Sequence, residues 1–144
     1  MSGPGGPRFT PRARREAARS YDRENLHREL TLLQARIEAV TAQGRQGFHD
    51  GGQTYDMACM VVIRLAALME RAELEPCLAV LTREERLAIR TTRNIVAHAR
   101  YRSMNDDVFW LATTTRIPEM LARIRAGAEF DSTDGEAPGL DGCR

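Results

Sequence analysis

Residues 82–98 read TREERLAIRTTRNIVAH, and they contain the strongest helix boundary in the chain. Thr82 is followed three residues later by Glu85, which is the spacing of a capping box at a helix N-terminus. Apolar residues then recur at helical intervals as far as Val96. The stretch therefore predicts a long amphipathic helix that begins after Thr82. Apolar residues follow the same helical period in the other segments that are expected to be folded.

Further helices are predicted on both sides of this stretch. Asp22 is predicted to cap a first helix and Thr54 a second, with a glycine-rich break between them. Asn105 is predicted to cap a last helix, which Pro118 should kink or split. No stretch alternates apolar and polar residues for long enough to indicate a strand, so we predict an all-α fold, an antiparallel bundle of four or five helices. The apolar stripes are Leu26, Leu30, Leu33, Ile37 and Val40 in the first helix, and Met57, Val61, Leu65, Leu68 and Met69 in the second.

Two aromatic positions are predicted to pack rather than to bind. Phe48 stands alone in the break between the first two helices, where it suits a plug for the end of the bundle. Trp110 stands at the start of an amphipathic helix, where anchoring that helix in the core competes with stacking on an RNA base.

Composition predicts one domain in the cytoplasm. The chain has 144 residues and a formal net charge of +1, which creates no overall field that would attract nucleic acid or an anionic membrane. All 21 basic residues are arginine. Cys59, Cys77 and Cys143 are odd in number and widely spaced, which favours a reduced protein without a metal site. No apolar run is long enough for a membrane span, so we expect a cytoplasmic protein. We also expect that it needs no cofactor.

The two ends of the chain differ in charge from the centre. Residues 1–20 are rich in glycine and proline and then in arginine, and we predict a flexible basic arm. Residues 127–144 are poor in apolar side chains and acidic, and we predict a flexible acidic tail. The helical domain is then expected over residues 21–126.

Candidate chemistry lies near the end of the helix that Thr82 begins. On a helical wheel Arg93, Asn94 and His98 fall on one arc, opposite an apolar arc that is expected to pack in the bundle. Asn94 and His98 are four residues apart, so the amide is expected to orient the imidazole. The residues of the apolar arc are Ala88, Ile89, Ile95 and Val96.

This set suits cleavage of RNA by its own 2′-hydroxyl group. His98 would accept the hydroxyl proton or protonate the leaving oxygen, while Arg93 stabilises the charge that builds on the phosphate, and no metal is needed. One histidine does not readily make both proton transfers, but a symmetric dimer brings two such segments together. The alternative is that both are ordinary polar residues on a solvated face, with His98 complementing the helix dipole. Arginine is so common here that about one such Arg–His pair is expected by chance.

The stretch from Arg93 to His98, followed by Tyr101, by residues 107–110 and by residues 117–121, resembles the HEPN superfamily, and within it the HepT-like toxins. In that family an arginine, a polar residue, apolar residues and a histidine end the main helix. A short loop and a helix containing tryptophan and proline follow. The resemblance covers roughly residues 26–125, and its specific motifs lie in residues 93–121.

The resemblance implies an all-helical homodimer whose two Arg-x4-His motifs form one metal-independent ribonuclease site. Arg93 and His98 would be catalytic and Asn94 the supporting polar residue. It also implies a toxin–antitoxin pair, in which a small antitoxin of the nucleotidyltransferase fold transfers AMP to a tyrosine of the toxin. Tyr101 is the candidate acceptor, although the family places its tyrosine two residues after the histidine, where this chain has Arg100.

Three arginines near the motif are candidates for contacts with the RNA backbone, and simple solvent exposure is the alternative for each. They are Arg90, Arg100 and Arg102.

Three functions follow from these observations. The first is a HepT-like endoribonuclease toxin. The second is a non-catalytic helical dimer that binds RNA or a protein partner, for which an intact Arg93 and His98 pair is not required. The third is a regulator that binds nucleic acid through the basic arm, which the low net charge disfavours.

Overall fold

The computed structural model describes residues 10–98 and 104–133, with side-chain exposure as far as residue 129. Over these ranges the chain is helical and contains no strand, which confirms the predicted all-α class. Single 3₁₀ turns lie at Arg45–Gly47 and Ala72–Leu74, and a π-helical segment, Ala112–Arg116, joins the last two helices. The helices are α1 (Pro11–Gln43), α2 (Gln53–Met69), α3 (Glu75–Leu78), α4 (Arg83–Ala97), α5 (Asp106–Leu111) and α6 (Ile117–Thr133).

Helix α1 begins earlier than the sequence predicts. Thr10 caps it, because the Thr10 hydroxyl accepts a hydrogen bond from the Ala13 N–H at 3.3 Å, and Pro11 stands at the first helical position. The prediction that Asp22 caps the helix is therefore wrong. Residues 11–20, assigned from sequence to the arm, are helical, and α6 likewise runs past residue 127 to Thr133. No side chain is buried over residues 11–20 or 127–129, so apolar periodicity gives no signal there.

Glycines set the break between α1 and α2. Gly44 ends α1 at φ +83°, a left-handed conformation that favours glycine. Gly52 caps α2, and a Cβ atom there would lie 2.8 Å from the Gly47 carbonyl oxygen. Thr54, predicted as the cap, lies inside the first turn, and its hydroxyl donates to that same carbonyl at 3.4 Å. The Gly47 carbonyl lies so close to position 52 that only glycine fits there, so the cap of α2 is Gly52 and not Thr54.

The core lies around α1 and α2. Helix α2 packs against both α1 and α4, and α6 packs against α1. Arg64 of α2 donates to both oxygens of Glu29 on α1, at 3.2 and 2.9 Å. The predicted stripe of α1 is buried at all five positions, and that of α2 is buried except at Met57, which is half-buried.

An aromatic cluster closes one end of the core. Phe48 is fully buried, and its ring centroid lies 5.1–5.3 Å from those of Tyr55, Phe109 and Trp110. The prediction that Phe48 plugs the bundle and that Trp110 packs is confirmed. Arg45, in the segment between α1 and α2, donates hydrogen bonds to the Asp107 carboxylate and to the Phe48 carbonyl, and so fixes this segment next to the cluster.

The end of the described chain is one helical path that changes type. Asn105 caps α5 as predicted, because its side-chain oxygen accepts from the Val108 N–H at 3.0 Å. The helix predicted here is divided into α5 and α6 by the π-helical segment Ala112–Arg116, and Pro118 is the second residue of α6. Proline lacks an N–H and its ring crowds the carbonyl four residues earlier, so a wider turn accommodates it.

None of the helices formed by the described residues is long and apolar enough to cross a membrane.

Candidate functional site

The capping box fixes the start of α4 and therefore the register of the candidate residues. The Thr82 hydroxyl accepts from the Glu85 N–H at 3.1 Å, and the Glu85 carboxylate accepts from the Thr82 N–H at 2.9 Å. The predicted boundary is confirmed. At the other end His98 is the C-cap, and its backbone N–H donates to the Asn94 carbonyl at 3.1 Å.

The face of α4 that packs against α2 is turned relative to the predicted one. Ile89 and Val96 are buried, but Ile95 is only half-buried and Ala88 is exposed. The packed face therefore centres on Ile89 and Val96. These two residues lie closer to Arg93 around the helix than the centre of the predicted apolar arc does. Arg93 consequently stands at the border of the packed face instead of on the open side.

Arg93 is held by a partner that the sequence does not predict. Its terminal nitrogen Nη2 donates to Glu70 Oε1 at 2.7 Å, and Glu70 is the residue that directly follows α2. The Nε atom of Arg93 is buried and has no hydrogen-bond partner among residues 10–98 and 104–133, while 36% of the side chain remains exposed. Glu70 and Arg93 belong to different helices, so no helical spacing relates them. A cation is thus fixed at the edge of the α2–α4 interface.

Asn94 and His98 are both exposed. No hydrogen bond joins the amide to the imidazole among the described residues, and the bond between the two residues is the backbone one. The arc that the sequence assigns to Arg93, Asn94 and His98 is a wide one: at about 100° per residue, the five steps from Arg93 to His98 leave these two side chains about 140° apart around the axis. One α4 helix therefore presents the guanidinium and the imidazole in different directions.

A basic groove lies beside the first half of α4. It has a volume of about 570 Å³, and Arg83, Arg86 and Arg90 are in its lining. Arg86 is occupied, because it donates to the Glu75 carboxylate and to the Leu78 carbonyl. Arg90, a predicted backbone contact, is exposed, as is Arg83, which the sequence does not single out. The other predicted contacts, Arg100 and Arg102, and the predicted acceptor Tyr101 lie outside the described residues.

Glu85 connects the start of α4 to α6. Burial works to raise the pKa of its carboxyl group, but the hydrogen bond from Arg123, the bonds of the capping box and the Arg123 charge outweigh burial and lower it. Glu85 thus stabilises the start of α4 and its contact with α6.

Within residues 10–98 and 104–133, no group of three or more His, Cys, Asp or Glu side chains is arranged to hold a metal ion. Comparison of the chain with family models, curated proteins and solved structures finds no match.

Proposed function

We propose that this protein is a HEPN-type endoribonuclease of the HepT-like class, the toxin of a toxin–antitoxin pair. It cleaves RNA without a metal ion at a site shared by two protomers. The observation that carries the proposal is the end of α4, where an exposed imidazole, His98, follows five residues after a fixed guanidinium, Arg93. A proton carrier and a preorganised cation are the two groups that cleavage by the 2′-hydroxyl group needs.

The reaction forms a bond from the 2′-oxygen to phosphorus and breaks the bond from phosphorus to the 5′-oxygen. One His98 takes the 2′-hydroxyl proton, and a second, protonated His98 gives a proton to the leaving 5′-oxygen. Arg93 stabilises the charge on the phosphate oxygens in the transition state. The products are a 2′,3′-cyclic phosphate and a free 5′-hydroxyl group, and Asn94 is the supporting polar residue.

Two features support a homodimer. The Arg93 and His98 side chains of one chain diverge around α4, so a second copy is needed to bring an imidazole opposite each guanidinium. Helix α2 also carries an exposed stripe, Met60, Ile63 and Ala67, at helical spacing, and Glu70 continues it. Apolar side chains that share one open face are typical of a surface that a partner covers.

The antitoxin of this proposal is a nucleotidyltransferase-fold protein that transfers AMP to Tyr101. Coexpression with a small nucleotidyltransferase from the neighbouring open reading frame is expected to add one adenylate to Tyr101, as read by peptide mass spectrometry. Tyr101→Phe removes the acceptor and is the control for this transfer.

Cleavage of RNA by the purified protein in EDTA tests the main proposal. His98→Ala is expected to lower the rate about 10²- to 10⁴-fold, and Arg93→Ala about 10²- to 10³-fold, because each removes a group that acts in the transition state. His27→Ala is the matched control, since His27 is an exposed histidine on α1. Metal-dependent cleavage that survives His98→Ala would contradict the proposal.

The second candidate function is a non-catalytic helical dimer that binds RNA or a protein. The Arg93–Glu70 pair favours it, because an ion pair between α2 and α4 also makes sense as a purely structural link. This function predicts no cleavage, with binding that is lost in Arg93→Ala and kept in His98→Ala.

A further inference from the structure

The end of α2 reaches the candidate site through one side chain. Glu70 stands at the C-cap of α2, where its backbone N–H bonds to the Ala67 carbonyl at 3.3 Å. Its carboxylate extends to Arg93 on α4. In the part of the chain that the structure describes, this is the one hydrogen bond recorded for the Arg93 side chain.

The contact determines which edge of the guanidinium is open. Arginine has five N–H donors in a planar fork. The Nε atom of Arg93 is buried, and Nη2 is bonded to Glu70. The outer edge, formed by Nη1 and the second N–H of Nη2, is the part that can still donate hydrogen bonds to phosphate oxygens. A fork fixed in this way has less rotamer freedom to lose when it binds.

The charge of Glu70 has a weaker effect than its hydrogen bond. The side chains of Arg93 and Glu70 are 36% and 59% exposed, so solvent screens their charges. Screening by solvent weakens the attraction between the charges, but it does not weaken the orienting effect of the hydrogen bond on the guanidinium to the same extent. Orientation is therefore the larger contribution of Glu70.

We propose that Glu70 is a positioning residue of the ribonuclease site, which holds the Arg93 guanidinium with its outer edge open to the scissile phosphate. This inference rests on the proposed function. It adds a residue from a second helix to the Arg93 and His98 motif, and it gives the ion pair a role in the reaction.

The test compares Glu70→Ala with Glu70→Gln, because glutamine keeps an acceptor oxygen and removes the charge. We expect Glu70→Ala to lower kcat for RNA cleavage about ten- to a hundred-fold with a smaller change in KM, as loss of alignment does. Glu70→Gln should restore most of kcat. Glu73→Ala is the control, since Glu73 pairs with Arg71 at 2.8 Å in a similarly exposed setting and should leave kcat unchanged.

A double variant tests whether Glu70 acts through Arg93. Adding Glu70→Ala to Arg93→Ala is expected to lower the rate no further, because the side chain that Glu70 orients is already absent. Thermal unfolding of each variant separates misfolding from misalignment, and Glu70→Gln retains the test if Glu70→Ala unfolds.

Several outcomes overturn the inference alone, given a wild-type protein that cleaves and a His98→Ala variant that does not. They are an unchanged rate in Glu70→Ala, equal losses in Glu70→Ala and Glu70→Gln, faster cleavage in both, or additive losses with Arg93→Ala. A wild-type protein that does not cleave RNA overturns the proposed function and this inference together.

Discussion

Arg93 links α4 to the end of α2, and under the proposed function it is also expected to contact the substrate phosphate. Its pair with Glu70 is partly exposed, and such pairs contribute about 0–1 kcal/mol to stability. Loss of this pair is therefore expected to leave the fold intact. A large loss of cleavage in Arg93→Ala with an unchanged thermal midpoint would assign the residue to chemistry.

The cysteine in the core is expected to be chemically silent. Burial, followed by the charges of Asp56 and Asp50, raises the pKa of the Cys59 thiol to about 12. Because the thiolate is the reactive form, Cys59 should resist alkylation in the folded protein at about pH 8 and react promptly once urea unfolds the chain. Peptide mass spectrometry with iodoacetamide measures both rates.

Cys77 is the internal comparison for this experiment, because it forms no disulfide bond and is only half-buried. Labelling of Cys59 at the same rate in the folded and unfolded protein would contradict the expectation.

At the scale of elements, the Glu85 contacts of α4 should make stability depend on pH. The pKa of Glu85 lies below its usual 4.5 in the folded chain, so the folded state binds this proton more weakly than the unfolded state. Its contribution is present above about pH 4.5 and is lost as the pH falls through the folded value. The expected loss is about 1 kcal/mol or less, because the pair with Arg123 is partly exposed.

Urea unfolding at about pH 6 and about pH 3 measures this effect. Glu85→Gln is the matched variant, because glutamine also completes a capping box but carries no charge. The free energy of unfolding of Glu85→Gln should fall less than that of the wild type between these two pH values. An equal fall in both proteins would exclude Glu85 as the cause of the pH dependence.

The elements show which parts of the fold sequence patterns can predict. The buried stripe from Leu26 to Val40 and the caps Thr82 and Asn105 depend on residues close in sequence, and each was predicted correctly. The early start of α1 was not, because its first turns bury almost nothing and are held by Thr10 and Pro11. The orientation of α4 was also wrong, because contact with α2, rather than the apolar arc alone, decides which face packs.

At the scale of the whole molecule, the same limit applies to the candidate site. The sequence identifies Arg93, Asn94 and His98 as neighbours on one helix. It does not identify Glu70, whose distance from Arg93 depends on how α2 and α4 cross. The predicted bond between the Asn94 amide and the imidazole is absent for a related reason: a favourable spacing of four residues permits contact, but two exposed side chains gain little from it.

The proposal that two protomers share one site can be tested through the oligomeric state. Ile63 is 36% exposed on the α2 stripe that ends at Glu70, so Ile63→Arg is expected to place a charge in the dimer interface. Sedimentation velocity should then show monomers in place of dimers, and cleavage should be lost although Arg93 and His98 remain. Tyr21→Arg is the control, because Tyr21 is 66% exposed on α1, outside that stripe. A variant that is monomeric and fully active would exclude a shared site.

Mixing experiments test whether both copies of His98 act in one site. Excess His98→Ala protein should draw wild-type chains into heterodimers, each of which has a single His98 imidazole in the shared site. The cleavage rate should then fall well below the rate of the same amount of wild-type protein without the variant. A double variant that also carries Ile63→Arg cannot form these heterodimers, so the same excess of it should leave the rate unchanged. Inhibition by the first protein and not by the second would show that the two proton transfers are divided between protomers, as the divergence of Arg93 and His98 around α4 requires.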